Sequence, residues 1–459
     1  MLSEKSIQDF KSSIRGGVIE PGDAGYDVSR IVYNAMIDKH PRMIVMCSDA
    51  ADVISAVNFA RENKILLSVR GGGHNAGGLG IADDALVIDL SKIRYTRIDP
   101  EAKTIVAGGG CTWGDIDHTT HAFGMATPSG VISTTGAGGL TLGGGIGHLT
   151  RKCGLTIDNL ISVDMVLADG SFVKANAEHN QDLFWAVRGG GGNFGVITAF
   201  TYRLHPVSMI YGGPMLYELS EAEDIMKWYR SFIADAPDDI NGFFAFLTVP
   251  PGPPFPEELH NKIMCGIVWA YAGPMDKAEE VFKPIREFRK PALDFAGSIP
   301  HPALQGMFDA IYTPGLQWYW KADFVKELSD EAIKEHIKHG SKVPTMHSSM
   351  HLYPINGAAS RIGNKDTAWN NRDALFSMVI IGVDPDPANN DKIIDWAKEY
   401  YNAVHPYSSK GAYLNFLMDE GQERIKDSYG DNYERLVQIK NKYDPDNLFR
   451  VNQNIKPSR

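Results

Sequence analysis

Several things are scarce in this sequence, and each scarcity excludes a class of protein. Four cysteines (Cys47, Cys111, Cys153 and Cys265) stand far apart in 459 residues, with no CxxC pair. That argues against a zinc site and against a disulfide framework. No stretch is apolar for long enough to span a bilayer, and the start, MLSEKSIQDFKSSIRGG, lacks the apolar core of a signal peptide. The net charge is −11 with no basic run, so binding to a nucleic-acid backbone is not expected. There is no internal repeat and no low-complexity tract. A reduced, cytoplasmic protein with neither membrane nor nucleic acid as partner fits these absences. They leave the oligomeric state open.

What is abundant is glycine. The 46 glycines pile up in four blocks, at 71–80, 108–114, 136–147 and 189–195. Glycine costs backbone entropy, so such blocks mark places where the backbone turns with positive φ or closely approaches something. All four fall in the first 200 residues. One ligand touched by several backbone loops would explain them.

The length suggests two or three domains. Met43–Met46 reads as a short buried strand. Ser48 can cap a helix running to about Asn63, and Ile65–Val69 is a second strand, giving a β-α-β unit with a parallel pair. Further strands are expected at Leu86–Leu90 and Thr104–Ala107. Next comes a hairpin, Ile161–Leu167 and Ser171–Lys174, around Asp169-Gly170 as a type I′ turn. From about residue 206 glycine thins, aromatics rise, and a proline-rich connector appears at 250–254. Amphipathic helices near 221–235, 276–289 and 391–404 alternate there with strand-like runs at Phe243–Val249 and Ile263–Tyr271. This reads as an antiparallel sheet covered by helices. The aromatic run Trp318-Tyr319-Trp320 alternates as a strand does, one face for packing and one able to line a cavity.

The loop Arg70-Gly71-Gly72-Gly73-His74-Asn75-Ala76-Gly77-Gly78 directly follows a strand. Successive N–H groups in such a turn can form a nest for an anionic phosphate and hold the histidine beside its owner. The competing reading is a tight turn with a solvated histidine. Gly143-Gly144-Gly145-Ile146-Gly147 superficially suggests a dinucleotide fingerprint. However, no strand leads into it, and the downstream acid Asp164 lies inside a strand. The lysine of a P-loop is absent too.

Taken together, the motifs are specific. RGGGHNAGG at 70–78, Val87–Ser91, Gly108–Asp115, Thr134–Gly147 running into Cys153–Asn159, Asp182–Val196 and Tyr443–Phe449 occur in family order over about residues 20 to 455. The whole chain resembles the berberine-bridge-enzyme-like branch of the vanillyl-alcohol-oxidase flavoprotein superfamily. The resemblance implies an α+β protein: a two-lobed FAD-binding domain of the vanillyl-alcohol-oxidase type at 1–205, a substrate domain with an antiparallel sheet covered by helices at 206–410, and a C-terminal segment, 411–459, returning to the FAD domain. It implies FAD bound covalently through His74 to the 8α methyl. Arg70, Gly71, Gly72, Gly73 and Asn75, with Thr134, Thr135, Gly136, Gly138, Gly139, Gly143 and Gly144, would cradle pyrophosphate and ribityl groups. Val196, with Asn193 nearby, would line the adenine side, and Asn452 or Asn454 would close over the ring.

This sequence departs from the family pattern at three places. Ile132 stands where many relatives carry a second flavin bond to cysteine, so a single link is expected; Cys111 and Cys153 read as buried small hydrophobes. Phe416, in Tyr413-Leu414-Asn415-Phe416, stands where relatives carry a tyrosine base. Tyr413 and, from the middle of the chain, His351, Tyr353, Tyr319 and Asp323 are the candidates that remain. Ile146 replaces a tyrosine common after the GGG. The small Ala137, between the glycines of the GxGG stretch, would leave a path for oxygen.

The reading is therefore an FAD-linked oxidase. It takes hydride from a C–H beside an alcohol or amine of a small metabolite and passes electrons to molecular oxygen. The rivals are a flavin dehydrogenase with another acceptor, a flavin-bearing protein that has lost catalysis, and a nucleotide-binding regulatory module without flavin.

Overall fold

The apolar run Met43-Ile44-Val45 has no solvent face because it becomes an inner strand. The computed structural model, which describes residues 3–458, places it in a four-stranded sheet. The order is Val18–Ile19, Met43–Met46, Leu86–Asp89, Leu67–Arg70. The last three strands are parallel. Near-continuous hydrophobic strands are what a parallel sheet buried on both faces demands. The two strands expected to pair directly do not. Leu86–Asp89, all four residues buried, inserts between them, and the glycine loop becomes the connection into it. The intervening helix, Ala50–Glu62, begins after Asp49 rather than Ser48. The Asp49 carboxylate accepts the Ala51 and Asp52 N–H groups, two donors that have no partner inside the helix.

A five-stranded antiparallel sheet follows, in the order Thr96–Asp99, Thr104–Gly108, Val196–Arg203, Leu160–Val166, Phe172–Asn176. Its expected hairpin is present, but the turn is not type I′. Only Gly170 has positive φ, at 83°, whereas type I′ needs both central residues there. The Gly170 N–H donates to Leu167 O at 3.0 Å, and Asp169 instead uses its carboxylate to accept from the Ser171 N–H at 2.9 Å.

The rest of the chain builds an eight-stranded antiparallel sheet, confirming the α+β class. Six of its strands, Met209–Tyr217, Ile263–Tyr271, Ile240–Thr248, Ser349–Pro354, Phe376–Asp384 and the edge strand Gln317–Val325, lie side by side. Strand side chains alternate between faces, and here the alternation separates two environments. Phe244, Phe246, Ile267, Met350 and Met378 join residues of the helices Ala222–Asp235, Ala278–Phe288, Asp330–Gly340 and Asn390–Val404 in one core. Phe243, Ala245, Leu247, Val268, His351, Tyr353 and Ile381 face the other way and line a large cavity.

The C-terminal segment returns to the glycine block at 189–195. Lys440, fully buried, donates to Asp444 at 2.7 Å, to Asn193 O at 2.7 Å and to Phe449 O at 2.8 Å. Asn193 completes the join, donating to Gln453 O at 3.1 Å and accepting from the Ile455 N–H at 2.9 Å. Asn193 is thus a staple holding the tail in place rather than a cavity residue.

Candidate active site

All four glycine blocks contribute to that one cavity, through residues such as Gly71–Gly73, Gly109, Gly136, Gly138 and Gly191–Gly192. Two of the blocks touch backbone to backbone. A Cβ added to Gly72 would lie 2.5 Å from Gly136 N, a separation that hard-sphere contact forbids. Gly72 has no positive φ, so close approach alone requires glycine there. Gly73, at φ 69°, is different: its backbone conformation itself favours glycine.

His74 sits where these loops meet. Its ring stacks on Tyr33 with centroids 3.9 Å apart, and Nε2 lies 3.0 Å from Thr134 Oγ1. With Nε2–H donating to that oxygen, Nδ1 keeps a bare lone pair and has no partner among the described residues. Burial pulls the imidazole pKa down to about 4, so the ring is neutral at physiological pH. Tyr33 also lines the cavity and donates its hydroxyl to Tyr312 O. Sequence reasoning missed it because an isolated tyrosine in a loop carries no motif.

The cradle residues divide. Gly71, Gly72, Gly73, Asn75, Thr135, Gly136, Gly138, Gly139, Gly143 and Asn452 line the cavity. Asn452 leaves its buried Oδ1 without a partner, which suits a group that receives a ligand. Arg70 lines it as well, but its guanidinium is committed to Asp89, with Nε 2.6 Å from the carboxylate. It anchors the loop rather than offering a free charge. Thr134 reaches the site only through His74. Gly144 lies off the lining, under Trp369 and Tyr413. Val196 points into the core beside Val166 and Val45, while its neighbours Gly195 and Ile197 line the cavity; the strand alternation decides this. Gln453 lines the wall beside Asn452, and Asn454 does not.

The proton-handling candidates divide too. His351 and Tyr413 line the cavity, while Tyr319 does not. Trp318 and Trp320 take the cavity face of their strand, so Tyr319 turns to the helices, with the Lys398 ammonium 5.7 Å from its ring centre. Asp323 is also excluded, because it is buried in a pairing with Arg424 and His405. The Tyr413 phenol oxygen accepts the Gly145 N–H at 2.9 Å and an Asn415 Nδ2–H at 2.7 Å. These donors favour the phenolate, but burial outweighs them and its pKa is pushed up to about 12. His351 Nδ1 lies 2.8 Å from the Tyr353 hydroxyl, and burial pulls its pKa down to about 3. Tyr353 in turn has its ring 5.8 Å from that of Phe416.

Ile132 and Ile146 both line the cavity, and none of the four cysteines does. Cys111 is fully buried, its thiol 3.1 Å from Tyr95 O. Ala137 does not line the cavity. Its methyl is buried in the core beneath the loop, and the side chain presented to the cavity just before these glycines is Thr135. No helix among the described residues is long and apolar enough to cross a membrane.

Comparison with known proteins agrees with this geometry. A family described as FAD binding domain matches residues 41–176, and one described as berberine and berberine-like matches residues 412–456. The chain is 32% identical over 455 residues to an FAD-linked oxidoreductase of Dictyostelium discoideum, covering 98% of this chain and 97% of that one. Among solved structures it is similar to 6-hydroxy-D-nicotine oxidase from Arthrobacter nicotinovorans, with a TM-score of 0.87 at 25% identity over 97% of this chain and 99% of that one. The grass pollen allergen Phl p 4, described as having glucose dehydrogenase activity, shares the fold, with a TM-score of 0.86 at 22% identity over 98% and 99% of the two chains.

Proposed function

We propose that this chain, which belongs to the berberine-bridge-enzyme-like FAD-linked oxidoreductases, is an oxidase of a small metabolite whose FAD is tethered through His74. The observation that carries the reading is the convergence of four glycine blocks and the neutral His74 on a single cavity. The residues fit FAD. Glycines of four loops keep side chains out of the way, the lining offers no free cation, and its one arginine is paired with Asp89, so backbone N–H groups would hold the pyrophosphate. FAD supplies a two-electron acceptor, taking hydride from a C–H beside an alcohol or amine and passing the electrons to oxygen as hydrogen peroxide.

The protein supplies position and a place for the proton. His351 Nδ1 and the Tyr353 hydroxyl share a 2.8 Å hydrogen bond, and the role proposed here needs the tautomer in which Nδ1–H donates and Nε2 is the acceptor. Burial keeps His351 neutral, the form able to receive a proton, and also makes it a weak base, so the assignment rests on its place on the wall. Tyr413, with its pKa raised, is almost wholly protonated and cannot accept. We therefore assign proton acceptance to His351, orientation of that ring to Tyr353, and support of the Gly143–Gly145 loop to Tyr413 and Asn415. The absence of any cysteine from the lining supports a single covalent link.

The test is the pigment. Acid-precipitated wild-type protein should keep its yellow colour in the pellet, and His74→Ala should release it to the supernatant. A colourless protein, or a tether that survives His74→Ala, would sink the reading. The likeness to Phl p 4 favours one second reading, a dehydrogenase with another acceptor. Mixing substrate-reduced enzyme with air-saturated buffer separates the two, since reoxidation over minutes would favour the dehydrogenase.

A further inference from the structure

We infer that Tyr33 and Asp309 are positioning residues for the flavin tether. With Thr134 they hold the His74 ring in one orientation, and a turn remote in the sequence sets that orientation. This deepens the proposed tether and rests on it. An imidazole on a glycine loop has two freedoms that matter here, the tilt of its plane and rotation within the plane. Stacking on Tyr33, with ring centres 3.9 Å apart and planes 19° from parallel, fixes the tilt. A stack alone still lets the ring turn in its plane. The Thr134 hydroxyl, 3.0 Å from Nε2, removes that second freedom. In the tautomer whose Nε2–H donates to it, Nδ1 is the nitrogen free to react. Holding reacting atoms in line raises a rate without requiring tighter binding.

Neither partner of the histidine stands alone. Tyr33 is buried; its N–H donates to Gly73 O at 3.1 Å, its carbonyl accepts the Gly315 N–H at 3.3 Å, and its hydroxyl donates to Tyr312 O. Ser133, next to Thr134, donates its N–H to Asp309 Oδ1 at 3.1 Å and its hydroxyl to Asp309 Oδ2. One short turn, 308–312, is closed by Phe308 O accepting the Ile311 and Tyr312 N–H groups at 3.1 and 3.0 Å. That turn therefore braces both groups that hold His74. It meets Tyr33 across 279 positions of sequence and Ser133 across 176, so the brace exists only once distant parts of the chain have come together. The bond itself joins Nδ1 to the 8α carbon of FAD. The methyl group gives up one hydrogen and Nε2 the other, two protons and two electrons in all, and oxygen, the acceptor already proposed, takes them up as hydrogen peroxide. The Thr134 hydroxyl suits both stages, accepting from Nε2–H before the bond forms and donating to bare Nε2 after it.

The test separates attachment from binding. Full-length protein from a riboflavin-limited host is given FAD without oxygen, and its affinity is measured by ultrafiltration. Air is then admitted, and attachment is timed by the colour that stays in the acid precipitate. Tyr33→Leu, Asp309→Ala and Thr134→Val should each slow attachment about tenfold or more, while FAD affinity stays within about threefold. Tyr33→Phe keeps the stack, and Asp309→Asn keeps an acceptor for the Ser133 N–H, so both should recover most of the rate. The inference is overturned if the first three variants attach at the wild-type rate. It is overturned equally if affinity and rate fall by the same factor, the mark of a fold that has merely loosened. Thr134→Val keeps the shape of its side chain, so the test stands even where Asp309→Ala fails to fold. A wild type that binds FAD and never gains acid-stable colour would sink the tether itself. A wild type that gains it, with variants that keep pace, would sink only the positioning roles.

Discussion

The two walls of the cavity are built on different principles. The wall that fits the cofactor is backbone: four glycine-rich loops, two of them in contact where Gly72 meets Gly136. Its shape depends on the absence of side chains, so a methyl group anywhere along the contact is an obstruction. The opposite wall is one face of an antiparallel sheet, and its character is entirely side chain. There a residue two positions along the strand keeps its neighbour's environment, and a residue one position along loses it. Backbone walls leave fixed marks in a sequence. Side-chain walls leave only alternation, and alternation does not say which face is which.

The largest expected effect tests the side-chain wall. His351→Asn should slow anaerobic flavin reduction about 10²-fold or more, in the range usual for loss of a general base, whereas Tyr413→Phe should cost much less. Equal losses, or a larger one at Tyr413, would move proton acceptance to the tyrosine. Next comes the backbone wall. Gly72→Ala should destabilise by about 1–3 kcal/mol, as overpacking does, and lower the flavin content of purified protein. Chemical denaturation with full flavin retention and unchanged midpoint would show that the loops can part.

Acid sensitivity is a smaller effect shared by both walls. His74 and His351 are held neutral when folded, with pKa values near 4 and 3, below the ordinary histidine value. The unfolded chain therefore takes up the protons first, and stability contributed by each is present above about pH 6.5 and is lost as pH falls toward the folded value. The slope is up to about 1.4 kcal/mol per pH unit for each group. His351→Asn should flatten the dependence of the denaturation midpoint between pH 6.5 and 4.5; an unchanged slope would mean that the histidine is already charged in the fold. The smallest effect belongs to the helix-facing side of the sheet. Tyr319→Phe should leave turnover unchanged and stability within about 0.5 kcal/mol, and a large loss of turnover would place that ring back in the chemistry.

How much was legible follows the same division. The RGGGH loop, the order of the glycine blocks and the helices near 222–235, 278–288 and 390–404 could be read directly, because close approach and amphipathic periodicity are local constraints. The pairing of Met43–Met46 with Leu86–Asp89 instead of Leu67–Arg70 could not, since neighbours in a parallel sheet are chosen by long-range packing. Tyr319, Asp323, Val196 and Ala137 were plausible site residues by position, and each turned out to face a core or an ion pair. Tyr33 and Gln453 joined the wall without any motif to announce them.

By itself, then, the sequence determined the family and the cofactor chemistry to expect, because glycine's missing side chain is a requirement written residue by residue. Tertiary structure alone decided which side chains meet inside the cavity. It set Tyr353 against His351, spent Arg70 on Asp89, and left two indole N–H groups without acceptors. Those outcomes depend on how one sheet face turns toward loops more than a hundred residues away, and no local pattern encodes that orientation.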